Sequence, residues 1–326
     1  MRFIVLGAGA IGGVLGVRLA AAGREVMLIA RGAQLAVLRE QGLRLETPEG
    51  VITVQPPVVD HPSQIAWRSG DVVLLAVKTQ DAAAALRDLA AVAPADTTVA
   101  CFTNGLEAER LALRWFRHVL GVCVVCPSSF VVPGVIQAWA SPVSGMFDLG
   151  VVPQGRSPLA DELAAALTAS GLPSEPLADI LPWKRRKLLS NLINAIDALS
   201  GQSARADELV ERARREGAAC FAAAGLEVTS AEEDAARRKD FRLGKIDGRQ
   251  RDGGSTWQSL ARGAGAVECD YLNGEIALLG RLWGVPTPLN DRLQYLVAEA
   301  ARNGAAPGST PIEELLEKLR RVNEPG

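Results

Sequence analysis

Arg2-Phe3-Ile4-Val5-Leu6-Gly7-Ala8-Gly9-Ala10-Ile11-Gly12-Gly13 stands at the start of the chain, and its reading decides the fold. An apolar strand, Arg2 to Leu6, runs directly into a glycine-spaced turn. Ile11, Val14, Leu15 and Leu19 then follow at helical spacing, and a second strand runs from Glu25 to Ile29. Strand, glycine turn, helix and strand in that order make a nucleotide-binding βαβ opening. Gly7 serves the tight turn, Gly9 lets backbone approach a pyrophosphate, and Gly12 lets the helix pack close to the sheet. Ala10 and Ile11, between the last two glycines, belong to the helix start whose N–H groups face the phosphates. G-x-G-x-x-G alone is a weak motif, and the strand before it and the helix after it supply the context it needs.

The end of the second strand selects the cofactor. An acid about 20 residues past the glycines binds a ribose 2′-hydroxyl, whereas an arginine there pairs with a 2′-phosphate. The strand ends Leu28-Ile29-Ala30-Arg31 with no acid, so NADP(H) is expected over NAD(H), with Arg31 as the phosphate partner. A solvated surface arginine is the competing reading.

A chain of 326 residues with 48% hydrophobic content has material for two cores. Formal charge is −2, and no basic stripe stands out, so neither nucleic acid nor a membrane surface is an expected partner. The first apolar run resembles a secretory signal, but its glycines suit a turn and helix packing better than a signal core. A cytoplasmic location is therefore expected. Five scattered cysteines fit a reducing compartment, and Cys123 and Cys126 lie in a β-branched run that reads as buried strand, with no metal site expected. Only His61 and His118 are available as histidines, and neither has acids or cysteines at ligand spacing. A histidine-based triad or dyad is hard to build from them, so another residue must carry any catalytic proton.

Further along, Gly42 to Glu46 and Val51 to Val54 read as an inserted hairpin around Thr47-Pro48-Glu49-Gly50. Asp71 to Val77 and Thr97 to Phe102 are continuous apolar runs, the pattern of parallel strands buried on both faces. Lys78 and Asn104 follow them, where ligands bind beyond the carboxyl ends of strands. Val119 to Val152 reads as added, partly antiparallel strands completing the sheet, and prolines place a domain boundary near residue 180. The expected architecture is α/β: a Rossmann-type dinucleotide-binding domain over 1–180, then an all-helical domain over 181–326. Expected helices there are Trp183 to Leu199, Ala206 to Ala224, Trp257 to Ala261, Glu268 to Trp283, Pro288 to Asn303 and Ile312 to Val322. The mixed-charge stretch Glu232 to Asp252 is expected to be a solvated helix face or loop.

Lys187, Asn191 and Asn194, spaced i, i+4, i+7, share one face of the first of these helices. One lysine and two amides do not make a core stripe, and asparagine is a poor helix former, so the face is a candidate site. Ser255 and Thr256 read either as site hydroxyls or as a helix cap. Glu268 reads either as a site acid or as a first-turn acid serving the helix dipole.

Together these residues resemble the ketopantoate reductase family along nearly the whole chain. The resemblance is carried by the glycine turn, Lys78, Asn104, the Lys-plus-Asn helix and Glu268-Cys269-Asp270-Tyr271-Leu272-Asn273-Gly274. It implies Lys187 as general acid, Asn191 and Asn194 as substrate ligands, and Thr256 as a hydroxyl donor to the substrate carboxylate. It also implies Asn104 and Lys78 as active-site or cofactor contacts, and Glu268 as an acid beside substrate, cofactor and lysine. Two departures bear on substrate: the second asparagine comes seven residues after the lysine where the family has eight, and Thr256-Trp257 replaces Ser-Met. The implied partner is a small 2-oxo acid, and a homodimer is an allowed assembly. The implied reaction is NADPH-dependent reduction of ketopantoate to pantoate, in pantothenate and CoA synthesis. The alternatives are reduction of another branched 2-oxo acid, a 3-hydroxy acid dehydrogenase of the same plan, and an NADP(H)-binding redox sensor without turnover. For an enzyme, the expectation is a helical domain whose Lys187 face closes a cleft over the nicotinamide.

Overall fold

The computed structural model of the chain describes residues 1–201, 206–263 and 265–320. The chain forms two compact units, one of Met1–Lys184 with Glu232–Arg251, the other of Arg185–Ala231 with Asp252–Gly326. The break therefore falls a few residues beyond the expected boundary, and the segment 232–251 returns to the first unit.

The first unit begins with β1 (Arg2–Leu6), α1 (Ala10–Ala21), β2 (Val26–Ile29) and α2 (Gly32–Gln41). A hairpin of β3 (Leu43–Thr47) and β4 (Gly50–Val54) follows, then β5 (Val58–Val59), β6 (Asp71–Leu75), α3 (Thr79–Ala90), β7 (Thr98–Cys101) and α4 (Glu107–Ala112). Next come β8 (His118–Val125), β9 (Ser128–Val132), β10 (Val135–Ala138), β11 (Ala140–Ser141), β12 (Met146–Val151) and α5 (Pro158–Ala169). The main sheet has the order β12-β8-β7-β6-β1-β2-β5, parallel except for β12 on β8. The chain grows from β1 to one side and from β6 to the other. A crevice therefore opens between β1 and β6 at the carboxyl ends of the strands.

Strand residues alternate between two cores, as the twofold side-chain period requires. Phe3 and Val5 join Leu15, Leu19, Leu43, Ile136 and Leu163 on one face, while Ile4 and Leu6 join Leu86, Leu89, Ala108 and Ile180 on the other. Each fully buried leucine contributes about 1.5–3 kcal/mol relative to exposure, which is why these strands read as unbroken apolar runs. At the amino-terminal end of the sheet Arg2 forks onto Asp71, with Nε and Nη2 at 2.8 and 2.6 Å from the two carboxylate oxygens.

One expectation needs correction here. The strands of 119–152 do not all complete the main sheet: β9 and β10 join the inserted hairpin in a second sheet, β4-β3-β10-β9, with β3 and β10 parallel across a long connection. Its partner strands lie far apart in the sequence, so local pattern could not pair them. The mixed-charge stretch is largely solvated, as expected, and its helix has no buried residue. It contains α9 (Ala231–Arg237) and β13 (Arg242–Leu243), and β13 pairs antiparallel with β11. Arg237 holds the buried Asp148 of β12 at 2.7 Å.

The second unit, among its described residues, is helical. It contains α6 (Leu181–Asn191) from Arg185 onward, α7 (Ile193–Ser200), α8 (Ala206–Ala223), α10 (Ser255–Ala261), α11 (Asn273–Trp283), α12 (Pro288–Arg302) and α13 (Ile312–Arg320). The expected end of the last helix at Val322 lies outside the described residues. Close packing of α6 on α8 depends on Gly217, where a Cβ would lie 2.6 Å from Leu189 Cδ2. Glu216 on α8 accepts from Leu289 N and Asn290 N, each at 3.0 Å, and so caps α12 with a charge of the favourable sign. No described helix is long and apolar enough to cross a membrane.

Candidate functional site

In the first unit the site begins with the glycine turn. Gly7 has φ +104, and a Cβ there would lie 2.8 Å from Val77 Cγ1, so only glycine fits both the backbone and the neighbour. A Cβ at Gly12 would drive into the carbonyl oxygen of Gly7 and lie 2.9 Å from Val5 Cγ1. Gly9 is the opposite case, for a Cβ there would meet nothing within 4 Å. Gly9 is also the N-cap of α1, with no side-chain cap and no acid in the first turn. Two glycines thus close the helix onto the strand and a third leaves open space before the N–H groups of Ala10, Ile11 and Gly12. An anionic diphosphate fits that cradle.

The exits of β1, β6 and β7 adjoin. Gly7 packs on Val77, one residue before Lys78, and Lys78 is the N-cap of α3. Thr79 Oγ1 donates to Asn104 O at 3.2 Å, tying the turn after β6 to the turn after β7. Lys78 and Asn104 are both half-buried. The structure therefore brings Gly7, Lys78 and Asn104 to one edge of the sheet.

Arg31, the N-cap of α2, stands at the end of β2 with its Nη2 at 3.1 Å from Asp88 Oδ2. It lines an open pocket of about 340 Å³ with Gly32, Leu35, Asp60 and His61. The last two residues follow β5, a strand of two residues that the sequence does not announce. In the sequence His61 has no acids or cysteines at ligand spacing, whereas the fold brings it Arg31 from the end of β2 and Asp88 from α3.

A second feature missed from sequence lies below Asn104. Lys184 Nζ donates to Thr103 O at 3.0 Å and to Val122 O at 2.9 Å, and pairs with Glu109 Oε1 at 2.8 Å. Both side chains are buried. Burial pushes the Glu109 carboxyl above the usual carboxylate range, although Lys184 pulls the other way. Burial likewise raises the Cys101 thiol well above its ordinary value. None of the five cysteines forms a disulfide, and Cys123, on β8, is buried with its Sγ at 3.8 Å from Trp183 O.

In the second unit the expected continuous helix from Trp183 to Leu199 is interrupted. α6 ends at Asn191, α7 starts at Ile193, and Leu192 N reaches back only to Leu189 O at 3.4 Å. Ser190 Oγ donates to Arg186 O at 3.1 Å, a side-chain bond of the kind that bends helices, and two asparagines flank the break. Lys187 and Asn191 thus lie on α6 and Asn194 on α7. Asn191 is buried, and Lys187 and Asn194 are half-buried.

α10 packs on α7. Gly254 N donates to Asp197 Oδ2 at 3.1 Å, and a Cβ at Gly254 would lie 3.1 Å from Asn194 Oδ1. Gly254 is the N-cap of α10, so neither Ser255 nor Thr256 caps the helix. Thr256 is buried two residues on, beside the start that faces Asn194. The expected single helix from Glu268 to Trp283 is also divided, into a 3₁₀ turn over Glu268–Tyr271 and α11. Glu268 is buried on that turn, not at the start of α11. Asn273, from the same motif, donates to Asn290 Oδ1 at 2.9 Å, and a Cβ at Gly274 would lie 2.8 Å from Gln294 Nε2. The end of the motif therefore packs α11 on α12, leaving Glu268 as its candidate for chemistry.

Residues 3–147 match the family model described as ketopantoate reductase PanE/ApbA, and residues 179–301 match the model of that family's C-terminal part. The chain is 31% identical to the 2-dehydropantoate 2-reductase of Mesorhizobium japonicum, covering 92% of this chain and 98% of that one. A crystal structure of a PanE/ApbA family ketopantoate reductase from Ralstonia eutropha is similar with a TM-score of 0.78 and 26% identity, over 93% of this chain and 99% of that one. A ternary structure of D-mandelate dehydrogenase with NADH and anilino(oxo)acetate is similar with a TM-score of 0.80 and 25% identity, again over 93% and 99%.

Proposed function

Because this chain belongs to the ketopantoate reductase family, we propose that it reduces a 2-oxo acid with NADPH, and that 2-dehydropantoate, giving pantoate, is its substrate. The observation that carries the reading is the glycine turn, where Gly7 and Gly12 admit no Cβ and Gly9 opens onto free space at an uncapped helix start. Ala10, Ile11 and Gly12 would hold the diphosphate through backbone N–H groups. Arg31, at the end of β2, would hold the 2′-phosphate, a task for which a planar guanidinium is suited.

When bound, the nicotinamide supplies the hydride. The protein must then manage the substrate oxygen, which gains negative charge as the ketone is reduced. Lys187 has the chemistry for this: an ammonium, ordinarily near a pKa of about 10.4, is charged at neutral pH and both polarises a carbonyl and supplies a proton. Asn191 and Asn194 are neutral donors that orient a 2-oxo acid without adding a second cation that would lower the lysine's pKa. Thr256 offers a hydroxyl to the substrate carboxylate, and Glu268 a carboxylate that keeps the lysine charged. Lys78 and Asn104, joined through Thr79, are the contacts of the first unit with cofactor or substrate. We place the chain in a reducing, cytoplasmic setting, which an odd and scattered set of five cysteines suits.

A second reading has its own support. The similarity to D-mandelate dehydrogenase, with Trp257 and the shifted Asn194, favours reduction of a bulkier 2-oxo acid by the same residues. One experiment separates the two: NADPH and NADH oxidation measured against 2-dehydropantoate, 2-oxoisovalerate and phenylglyoxylate. Highest kcat/KM for 2-dehydropantoate with NADPH supports the first reading, and highest kcat/KM for phenylglyoxylate the second. No oxidation with any of them would leave a nucleotide-binding sensor.

A further inference from the structure

Arg31 does not stand alone at its pocket. The loop after β5 brings His61 to the same wall, and the two side chains converge on one atom: Asp88 Oδ2 lies 3.1 Å from Arg31 Nη2 and 3.7 Å from His61 Nε2. The imidazole is fixed from behind. Ser63 N donates to Nδ1 at 3.2 Å, and Ser63 Oγ lies 2.8 Å from the same nitrogen. A ring nitrogen that accepts from a backbone N–H carries no proton, so in the neutral ring the proton sits on Nε2, the atom turned to Asp88. Nε2 is therefore a donor whether or not the ring is charged. The carboxylate oxygen marks a position that an anionic oxygen takes between both donors.

We propose that His61 is a second residue selecting the 2′-phosphate of NADP(H), donating through Nε2 beside the Arg31 guanidinium. The proposal rests on the cofactor reading above and adds to it a residue from a different strand. A phosphate presents three charged acceptor oxygens, so it engages a guanidinium and an imidazole N–H together more strongly than a single neutral ribose hydroxyl does. Asp88 holds both donors toward the pocket before the nucleotide arrives. Asp60 also stands on this wall.

The test is isothermal titration of NADP⁺ and NAD⁺, which differ only in that phosphate, into the parent, Arg31→Ala, His61→Asn, His61→Gln and the Arg31→Ala/His61→Asn double variant. Asparagine keeps an acceptor for Ser63 N and withdraws the donor from the Nε2 position, while glutamine places an amide N–H near it. The expected result is that His61→Asn weakens NADP⁺ about tenfold and NAD⁺ less than about twofold, that His61→Gln restores most of the loss, and that the double variant has no remaining preference. An unchanged NADP⁺ to NAD⁺ ratio in His61→Asn overturns the proposal, and so does an equal loss for both nucleotides, which is the mark of a structural histidine. If Arg31→Ala also leaves the ratio unchanged, the cofactor reading of this pocket fails as well. A ratio that collapses in Arg31→Ala alone removes His61 and leaves that reading standing.

Discussion

Replacing Gly9 and Gly12 separately by alanine should separate ligand approach from helix packing, because the two positions differ in what a methyl group would meet. At Gly12 it would overlap the Gly7 carbonyl oxygen, lie 3.1 Å from Gly7 C and 2.9 Å from Val5 Cγ1. Carbon atoms pack at about 3.5–4.0 Å, and two of the three obstacles are backbone, so β1 and α1 must move apart. Overpacking of this kind costs about 1–3 kcal/mol. For a unit of this size about 1 kcal/mol corresponds to roughly 2–4 °C, so Gly12→Ala should lower Tm by about 2–12 °C. At Gly9 nothing lies within 4 Å, and the residue already has extended φ and ψ of −86 and −151. Gly9→Ala should therefore cost at most about 0.5–1 kcal/mol, the disadvantage of alanine at an N-cap. Its methyl group would occupy the space of the diphosphate, and NADPH should bind at least about tenfold more weakly, a loss of about 1.4 kcal/mol. Calorimetric melting and titration with NADPH on the two variants read both quantities. NADPH binding within twofold of the parent in Gly9→Ala would refute the assignment of this turn to the diphosphate, and an unchanged Tm in Gly12→Ala would refute the packing argument.

Lys187→Ala should lower turnover by about a hundredfold or more with NADPH affinity retained, and Glu268→Ala should slow it with an effect that does not add fully in the double variant; steady-state kinetics with separate binding measurements check this. Lys184→Met leaves Glu109 buried without its cation and should cost about 3–5 kcal/mol at neutral pH by urea unfolding. Glu109 already holds its proton more tightly folded than unfolded, so stability falls as pH rises from the usual carboxylate range through the raised value, and loss of Lys184 should steepen that fall. Glu109→Gln in the same chain should recover much of the loss. Arg237→Ala leaves the Asp148 carboxylate on β12 with Glu175 N and no guanidinium, and should cost about 1–3 kcal/mol while speeding proteolysis within 232–251.

Much of the first unit was legible because its strands are buried on both faces. A strand such as Asp71–Leu75 must be apolar throughout, and the glycine turn must have glycines where a Cβ collides. What could not be read depends on partners distant in sequence. Nothing near Arg237 names Asp148, and nothing in the β3–β4 hairpin names β10 as the strand that extends it. The candidate helix was legible in composition and wrong in continuity. Its asparagines weaken the helix, and the break at Leu192 lies between Asn191 and Asn194, which a continuous helix would put on one face. The neighbourhood of Asn194 with the start of α10 had no local signal at all.

The fold separates the lysines more sharply than the sequence does. The chain has six lysines, at positions 78, 184, 187, 239, 245 and 318. Lys184 shares the helix with Lys187 and is the more deeply buried, the usual mark of a functional lysine. Its three N–H groups are nevertheless spent on Thr103 O, Val122 O and Glu109 Oε1, so it has no proton free to aim at a substrate, and its task is to fix the turn before Asn104. Lys239 and Lys245 are exposed on the segment that docks back on the first unit, and Lys318 pairs with Glu314 on the terminal helix. Lys78 and Lys187 remain. Lys78 stands at the N-cap of α3, beside the glycine turn and tied through Thr79 to the turn of Asn104. Lys187 lies on α6 about one turn before the break, on the helix that also carries the buried Asn191. We therefore propose that Lys78, beside the glycine turn, orients the nucleotide or the ketone, and that Lys187, on the helix of the amides proposed to hold a 2-oxo acid, supplies the proton.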